Sequence, residues 1–117
     1  MRAVVVDPQA PARLALGDVE RSTPLPSEAL VRVAAISLNR GEVRTSQTAA
    51  PGWRPGWDFA GLVEQAAADG TGPKAGARVV GLLASGAWSE YVAAPTNAIA
   101  ELPAEVSFAQ AATLPVA

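Results

Sequence analysis

The 117 residues include no cysteine and no histidine. No disulfide can form, and no thiolate or imidazole is present to act as nucleophile, base or metal ligand. A zinc centre of Cys and His ligands is therefore excluded, as is a Ser-His-Asp or Cys-His catalytic group. Aromatic residues number only six, whereas Ala fills 26 positions. A core drawn from this composition has to be built from small and β-branched side chains. Lys occurs once against eight Arg, a bias that with the alanines points to a GC-rich coding sequence and not to a function. The net charge is −2, which argues against a nucleic-acid partner, since such a partner needs a basic stripe to neutralise phosphates. No apolar run approaches the roughly 20 residues that span a bilayer. The run after Arg2 is closed by Asp7, too early for a signal-peptide core. The expectation is a single cytoplasmic domain of ordinary size with no membrane partner.

What is present reads as mainly β. Arg2 to Val6 is a β-branched run closed by the turn pair Asp7-Pro8. A second run spans Arg13 to Val19, and the prolines of 22–28 mark a loop. Ala29 to Leu38 is nearly continuous in apolar residues, as expected of a strand covered on both faces or bent through a barrel. The spacing of Asn39 and Glu42 predicts a capping box at the start of a short helix over 39–44. Residues 45–57, with two Pro, two Gly and two Trp, have no period and read as a long loop of the kind that carries function. Further strands are predicted over Phe59 to Gln65, Arg78 to Leu83, Ala87 to Ala93 and Asn97 to Leu102. The last three recur at roughly ten-residue spacing, the rhythm of an antiparallel barrel or sandwich. Ser107 and Gln110 set a second capping box, and the helix it starts is expected to run on to the end at Ala117.

Two glycine-bearing segments need a reading each. Gly70, Gly72 and Ala75 fit the spacing of a dinucleotide fingerprint, but that chemistry needs a helix pointing at the pyrophosphate. Pro73 and Gly76 interrupt the segment, and a β-branched strand follows at once, so it is a turn. In PGWRPGWDFAG, Gly56 is expected to take a positive φ ahead of a strand, and Gly61 to mark a bulge or a close backbone approach. Trp57 then reads as core and Asp58 as a turn hydrogen-bonder. The rival reading has Trp53 and Trp57 lining a pocket for a flat apolar ligand.

Five segments stand in a telling order: the opening strand, VAAISLNRGEVR, PGWDFAGLVE, GARVVGLLASGAWSEYV and AELPAEVSFAQAATLPVA. Together they resemble the N-terminal, GroES-like domain of medium-chain dehydrogenases/reductases over almost the whole chain. The resemblance is to the zinc-independent branch, comprising quinone oxidoreductases of the zeta-crystallin type and enoyl reductases. At the positions where zinc-dependent relatives carry Cys and a His-Glu pair, this chain has Asn39, Trp57 and Asp58. The resemblance implies a partly open β-barrel with short helices, formed by residues 1–117 as the substrate-side domain. The nucleotide-binding Rossmann domain of the family is absent from this chain and would follow it.

The same resemblance implies NADPH or NADH as cofactor, bound mainly by that absent domain, with no zinc. Asn39 and Glu42 match an Asn-carboxylate pattern that lies near the nicotinamide. Arg44, Trp53, Trp57 and Asp58 are the expected substrate contacts. Arg44 replaces a commoner aromatic and would favour an anionic or strongly polar group. Glu90 is expected to be a structural hydrogen-bonder, and no residue stands out as a proton donor. The implied reaction is hydride transfer to a quinone or an α,β-unsaturated carbonyl of small size, in a full-length enzyme that forms a homo-oligomer, a dimer. The alternatives are a non-enzymatic barrel acting as a binding or assembly module, and an excised piece of a polyketide-synthase enoyl reductase. The absence of Cys and His makes one direct prediction. Elemental analysis of the purified protein is expected to find no stoichiometric zinc, and about one tightly held zinc per chain would contradict the branch chosen here.

Overall fold

The computed structural model describes residues 1–116. Nine regular elements follow one another: β1 (Arg2–Val6), β2 (Leu14–Asp18), β3 (Glu28–Ile36), α1 (Arg40–Ser46), β4 (Asp58–Gln65), β5 (Arg78–Leu82), β6 (Tyr91–Pro95), β7 (Ile99–Glu101) and α2 (Phe108–Ala112). β1 and β2 form an antiparallel hairpin, and the other strands form one antiparallel sheet in the order β6-β3-β4-β5-β7. The larger sheet curls, and the segment 88–90 closes part of the gap to the hairpin. Val4 N–H donates to Trp88 O at 2.9 Å, Glu90 N–H to Arg2 O at 3.1 Å, and Val33 N–H to Glu90 O at 2.9 Å. The result is a mainly β half-barrel with short helices, as the sequence implies.

The core is built from small residues. Ala29, Val31, Phe59, Val63, Val79, Ala87, Val92 and Ala94 form one cluster inside the curl, with Phe59 its single aromatic. Side chains alternate along a strand, so Ala60 faces the other way from Phe59. It packs under Ala111 and Ala112 of α2. β4 is thus covered on both faces, and its residues from Asp58 to Gly61 are all buried. β3 is buried at Ala29, Leu30 and Val31 and then alternates in exposure towards its end.

The glycine expectations hold in detail. Gly61 lies opposite Val33, where the β3–β4 register shifts past Ala34 and leaves a bulge. A Cβ at Gly61 would strike the Arg32 carbonyl, so bulge and close approach coincide. Gly70 and Gly72 both have positive φ, 81° and 77°, in the turn between β4 and β5, with no helix after them. The side chain of Glu90 accepts from Arg2 N–H, a structural tie.

Several boundaries differ from expectation. Residues 87–90 are not a strand, because the Ser89 hydroxyl donates to Gly86 O or Tyr91 O at 2.8 and 3.0 Å and folds the backbone locally. Only an isolated bridge from Ser89 to Ala3 remains there, and β6 begins at Tyr91. Residues 96–98 form a single helical turn, which confines β7 to three residues. Arg13 precedes β2 with φ 63°, and its guanidinium reaches Ala49 O at 2.9 Å. α1 runs two residues further than expected, to Ser46. α2 ends at Ala112, so residues 113–116 are not a continuation of that helix. Pro115 lacks an N–H and pushes Leu114 away from helical backbone. No helix among the described residues is long and apolar enough to cross a membrane.

Gly56 and Gly52 allow a matched test of the loop before β4. Both have positive φ, 118° and 87°. A Cβ at Gly56 would collide with the backbone nitrogens of Ala87 and Trp88, whereas a Cβ at Gly52 meets nothing. Gly52→Ala is expected to cost only the backbone penalty, about 1–2 kcal/mol. Gly56→Ala is expected to cost at least about 2 kcal/mol more, since rigid backbone must move. Equal losses in denaturant melts would contradict this packing of the loop.

Candidate functional site

The site grows from the junction where β3 ends, α1 begins and β4 begins. Asn39 is extended, with φ −121° and ψ 149°, and caps α1. Its backbone N–H donates to Glu42 Oε1 at 2.7 Å, one half of the capping box predicted from the spacing. The other oxygen of Glu42 accepts from Trp57 N–H, just before β4. Asp58 opens β4 and accepts at Oδ1 from Asn39 Nδ2 at 2.7 Å. Its Oδ2 accepts from Val116 N–H at 3.0 Å. Two carboxylates thus tie together the start of α1, the start of β4 and the C-terminal segment. The Trp57 ring lies against Gly41, where a Cβ would overlap it.

Glu42 and Asp58 are both fully buried, 0% exposed. This changes the role expected for them. With both oxygens of each already accepting N–H groups, neither presents an atom to a cofactor or a substrate. The Asn39 amide group spends one of its two N–H donors on Asp58 and keeps the second.

Two open grooves flank this cluster. One, of about 560 Å³, is lined by Leu38, Asn39, Arg40, Val43, Arg44 and Gln47. The other, of about 470 Å³, is lined by Trp57, Leu82, Leu83, Ala84 and Val116. Of the expected substrate contacts, Arg44 lines the first and Trp57 the second. Trp53 lines neither, and its carbonyl accepts from Val6 N–H of β1 at 2.8 Å. Leu38, Val43, Leu82, Leu114 and Val116 are exposed apolar residues. Arg40, Gln47, Leu38 and Val43 were not singled out as site residues. The signal available for Arg40 was its position four residues before Arg44, which places both on one helix face.

No group of three or more Asp, Glu, Cys or His stands together among the described residues. The polar atoms offered to a ligand in the first groove are amides and guanidinium groups. Such a donor set suits a carbonyl oxygen, an oxyanion or an anionic group.

Burial pushes the Glu42 carboxyl above its ordinary value of 4.5, and the Asp58 charge adds to that push. The hydrogen bonds from Asn39 and Trp57 act against it without cancelling it. A raised carboxyl pKa means the folded chain holds its proton to higher pH than the unfolded chain. The associated stability is complete below the unfolded value and is lost as pH rises through the folded one. Against Glu42→Gln, which does not titrate, the wild-type chain is expected to lose relative stability as pH is raised from about 4.5 towards neutrality. Paired denaturant melts across that range measure the sign, and a relative gain would contradict it.

The chain matches the alcohol dehydrogenase GroES-like domain over residues 25–104. It is 34% identical over 113 residues to a trans-enoyl reductase of Penicillium oxalicum, covering 83% of this chain and 31% of that protein. It is 31% identical over 122 residues to a mycocerosic acid synthase-like polyketide synthase of Mycolicibacterium smegmatis, covering 100% of this chain and 6% of that protein. Its fold superposes on the quinone oxidoreductase of Thermus thermophilus, whose complex with NADPH is also solved. The TM-score is 0.80 at 29% identity, covering 99% of this chain and 37% of that one. The chain therefore spans about a third or less of the length of these relatives. The curled antiparallel sheet, the capped helix after its long strand and this sequence match agree, and the chain belongs to the alcohol dehydrogenase GroES-like domain family.

Proposed function

We propose that this chain is the substrate-side domain of a nicotinamide-dependent oxidoreductase that reduces an α,β-unsaturated carbonyl or a quinone. The observation that carries the reading is Asn39, fixed by two buried carboxylates at the head of a groove lined with N–H donors. A preorganised donor of this kind stabilises negative charge as it develops on a carbonyl oxygen. Asn39 and Arg44 are donors of this groove able to serve in that way without a metal. Glu42 and Asp58 act through Asn39, and Trp57 forms the wall of the second groove. The names of the relatives, an enoyl reductase and a quinone oxidoreductase solved with NADPH, point the same way. The cofactor, when bound, supplies the hydride.

The groove residues fit one end of such a cofactor and no more. Asn39 offers a donor to a carboxamide, while nothing among the described residues forms a strand-turn-helix cradle for a pyrophosphate. The short coverage of the relatives accords with a nucleotide-binding domain elsewhere in a longer protein, cytoplasmic and homo-oligomeric in our reading. The polyketide synthase match extends the same chemistry to a multidomain setting, where this chain would be one segment of an enoyl reductase. Calorimetry tests the division of labour. The 117-residue chain is expected to bind NADPH no tighter than about millimolar, because one or two contacts recover little of the cost of immobilising a ligand. The longer protein is expected to bind it at about micromolar or tighter. Micromolar binding by the 117-residue chain would overturn the reading.

A further inference from the structure

α1 carries two arginines on one face, of which only Arg44, in the last turn, suits the helix dipole. Arg40 is its first residue and Arg44 stands four later, so the two guanidinium groups share a face and repel. A cation in the first turn also opposes the helix dipole. Both side chains are exposed, and among the described residues neither belongs to an ion pair. Three of the other six arginines have side-chain partners, while Arg2, Arg32 and Arg54 belong to no ion pair among the described residues either, so what sets Arg40 and Arg44 apart is their shared groove. Arg21 pairs with Glu64 and lies over the Tyr91 ring. Arg13 donates to Ala49 O, and Arg78 donates to Val106 O and lies over Phe108. Glu42, on the same helix as Arg40 and Arg44, is buried with both oxygens engaged and neutralises neither.

These two arginines line one groove with Asn39, Leu38 and Val43. Leu38 and Val43 leave 69% and 44% of their surface exposed there. The groove therefore sets two unpaired cations beside an uncovered apolar surface and the donor of Asn39. We propose that it selects a substrate bearing an anionic group next to an apolar body, with Arg40 and Arg44 holding the anion and Leu38 and Val43 covering the apolar part. A guanidinium fork matches a carboxylate or a phosphate with two parallel hydrogen bonds, so either anion satisfies the pair. The inference rests on the reductase reading above and adds the substrate class to it. The negative charge has three possible sources, a carboxylate of the substrate, its phosphate ester or the phosphates of the cofactor.

The test uses the full-length protein carrying this chain, as wild type and as the Arg40→Gln/Arg44→Gln double variant. The probes are 4-phenylbut-3-en-2-one, its para-carboxylate and its para-phosphate ester. Calorimetry reads probe binding without turnover, and NADPH oxidation reads turnover. At low salt, at least one anionic probe is expected to bind the wild type about tenfold or more tighter than the neutral probe. That ratio is expected to collapse towards one in the double variant and to shrink with added salt in the wild type. Which anionic probe shows the ratio identifies carboxylate or phosphate. Equal binding of all three probes by the wild type, or a ratio that survives the double substitution, would overturn the proposal. So would a rise in KM for NADPH with probe preference untouched, since the anion would then be the cofactor's. A probe preference that depends on the arginines, without NADPH oxidation on any probe, would leave the groove's selectivity standing and overturn the reductase reading instead.

Discussion

The arrangement around the site depends on two carboxylates buried side by side. A buried acid is costly unless every oxygen is met by a donor. Glu42 and Asp58 are met by Asn39 N–H, Trp57 N–H, Asn39 Nδ2 and Val116 N–H. Those four donors come from three stretches of chain far apart in sequence. Satisfying the acids therefore fixes where α1 starts, where β4 starts and where the C-terminal segment runs. The position of Asn39 is a consequence of that requirement, and so is the placing of a groove on either side.

The barrel supplies the rigid frame for this junction. Its interior is almost entirely Ala and Val around a single Phe. Small side chains let the strands curl tightly, and the bulge beside Gly61 bends β3 in the stretch that leads to Asn39. α2 then closes the outer face of β4 through Ala111 and Ala112. From there the chain turns back towards Asp58. The hydrogen bond to Val116 means that the last described part of the backbone and the proposed reacting end of the groove share one side chain.

Much of this was legible in the sequence because it rests on local rules. β-branched and apolar runs between turn signals located the strands, and capping-box spacing located the starts of both helices at Asn39 and Ser107. Positive φ at Gly56 and the bulge near Gly61 followed from what glycine permits. The family followed from five short blocks in order. The misread parts turn on contacts between distant residues. Nothing local reveals that Ser89 spends its hydroxyl on neighbouring carbonyls and breaks a strand. Asp58 reads as a turn residue until Val116 is brought beside it. Trp53 and Trp57 sit four apart in one loop and look equivalent, yet one backbone is held by β1 and the other by Glu42. Arg40 was overlooked because an exposed arginine is ordinary until the fold sets it beside Arg44 and Asn39 on one groove.

The central claim is that the buried acid pair holds α1, β4 and the C-terminal segment as one unit. Site-resolved hydrogen exchange tests it most directly, read at the backbone amides of Asn39, Trp57 and Val116. The account predicts that all three are protected, and that Asp58→Ala releases Val116 to the rate of an unstructured peptide while Phe59, within β4, stays protected. A wild-type Val116 amide that already exchanges at the unstructured rate would contradict it.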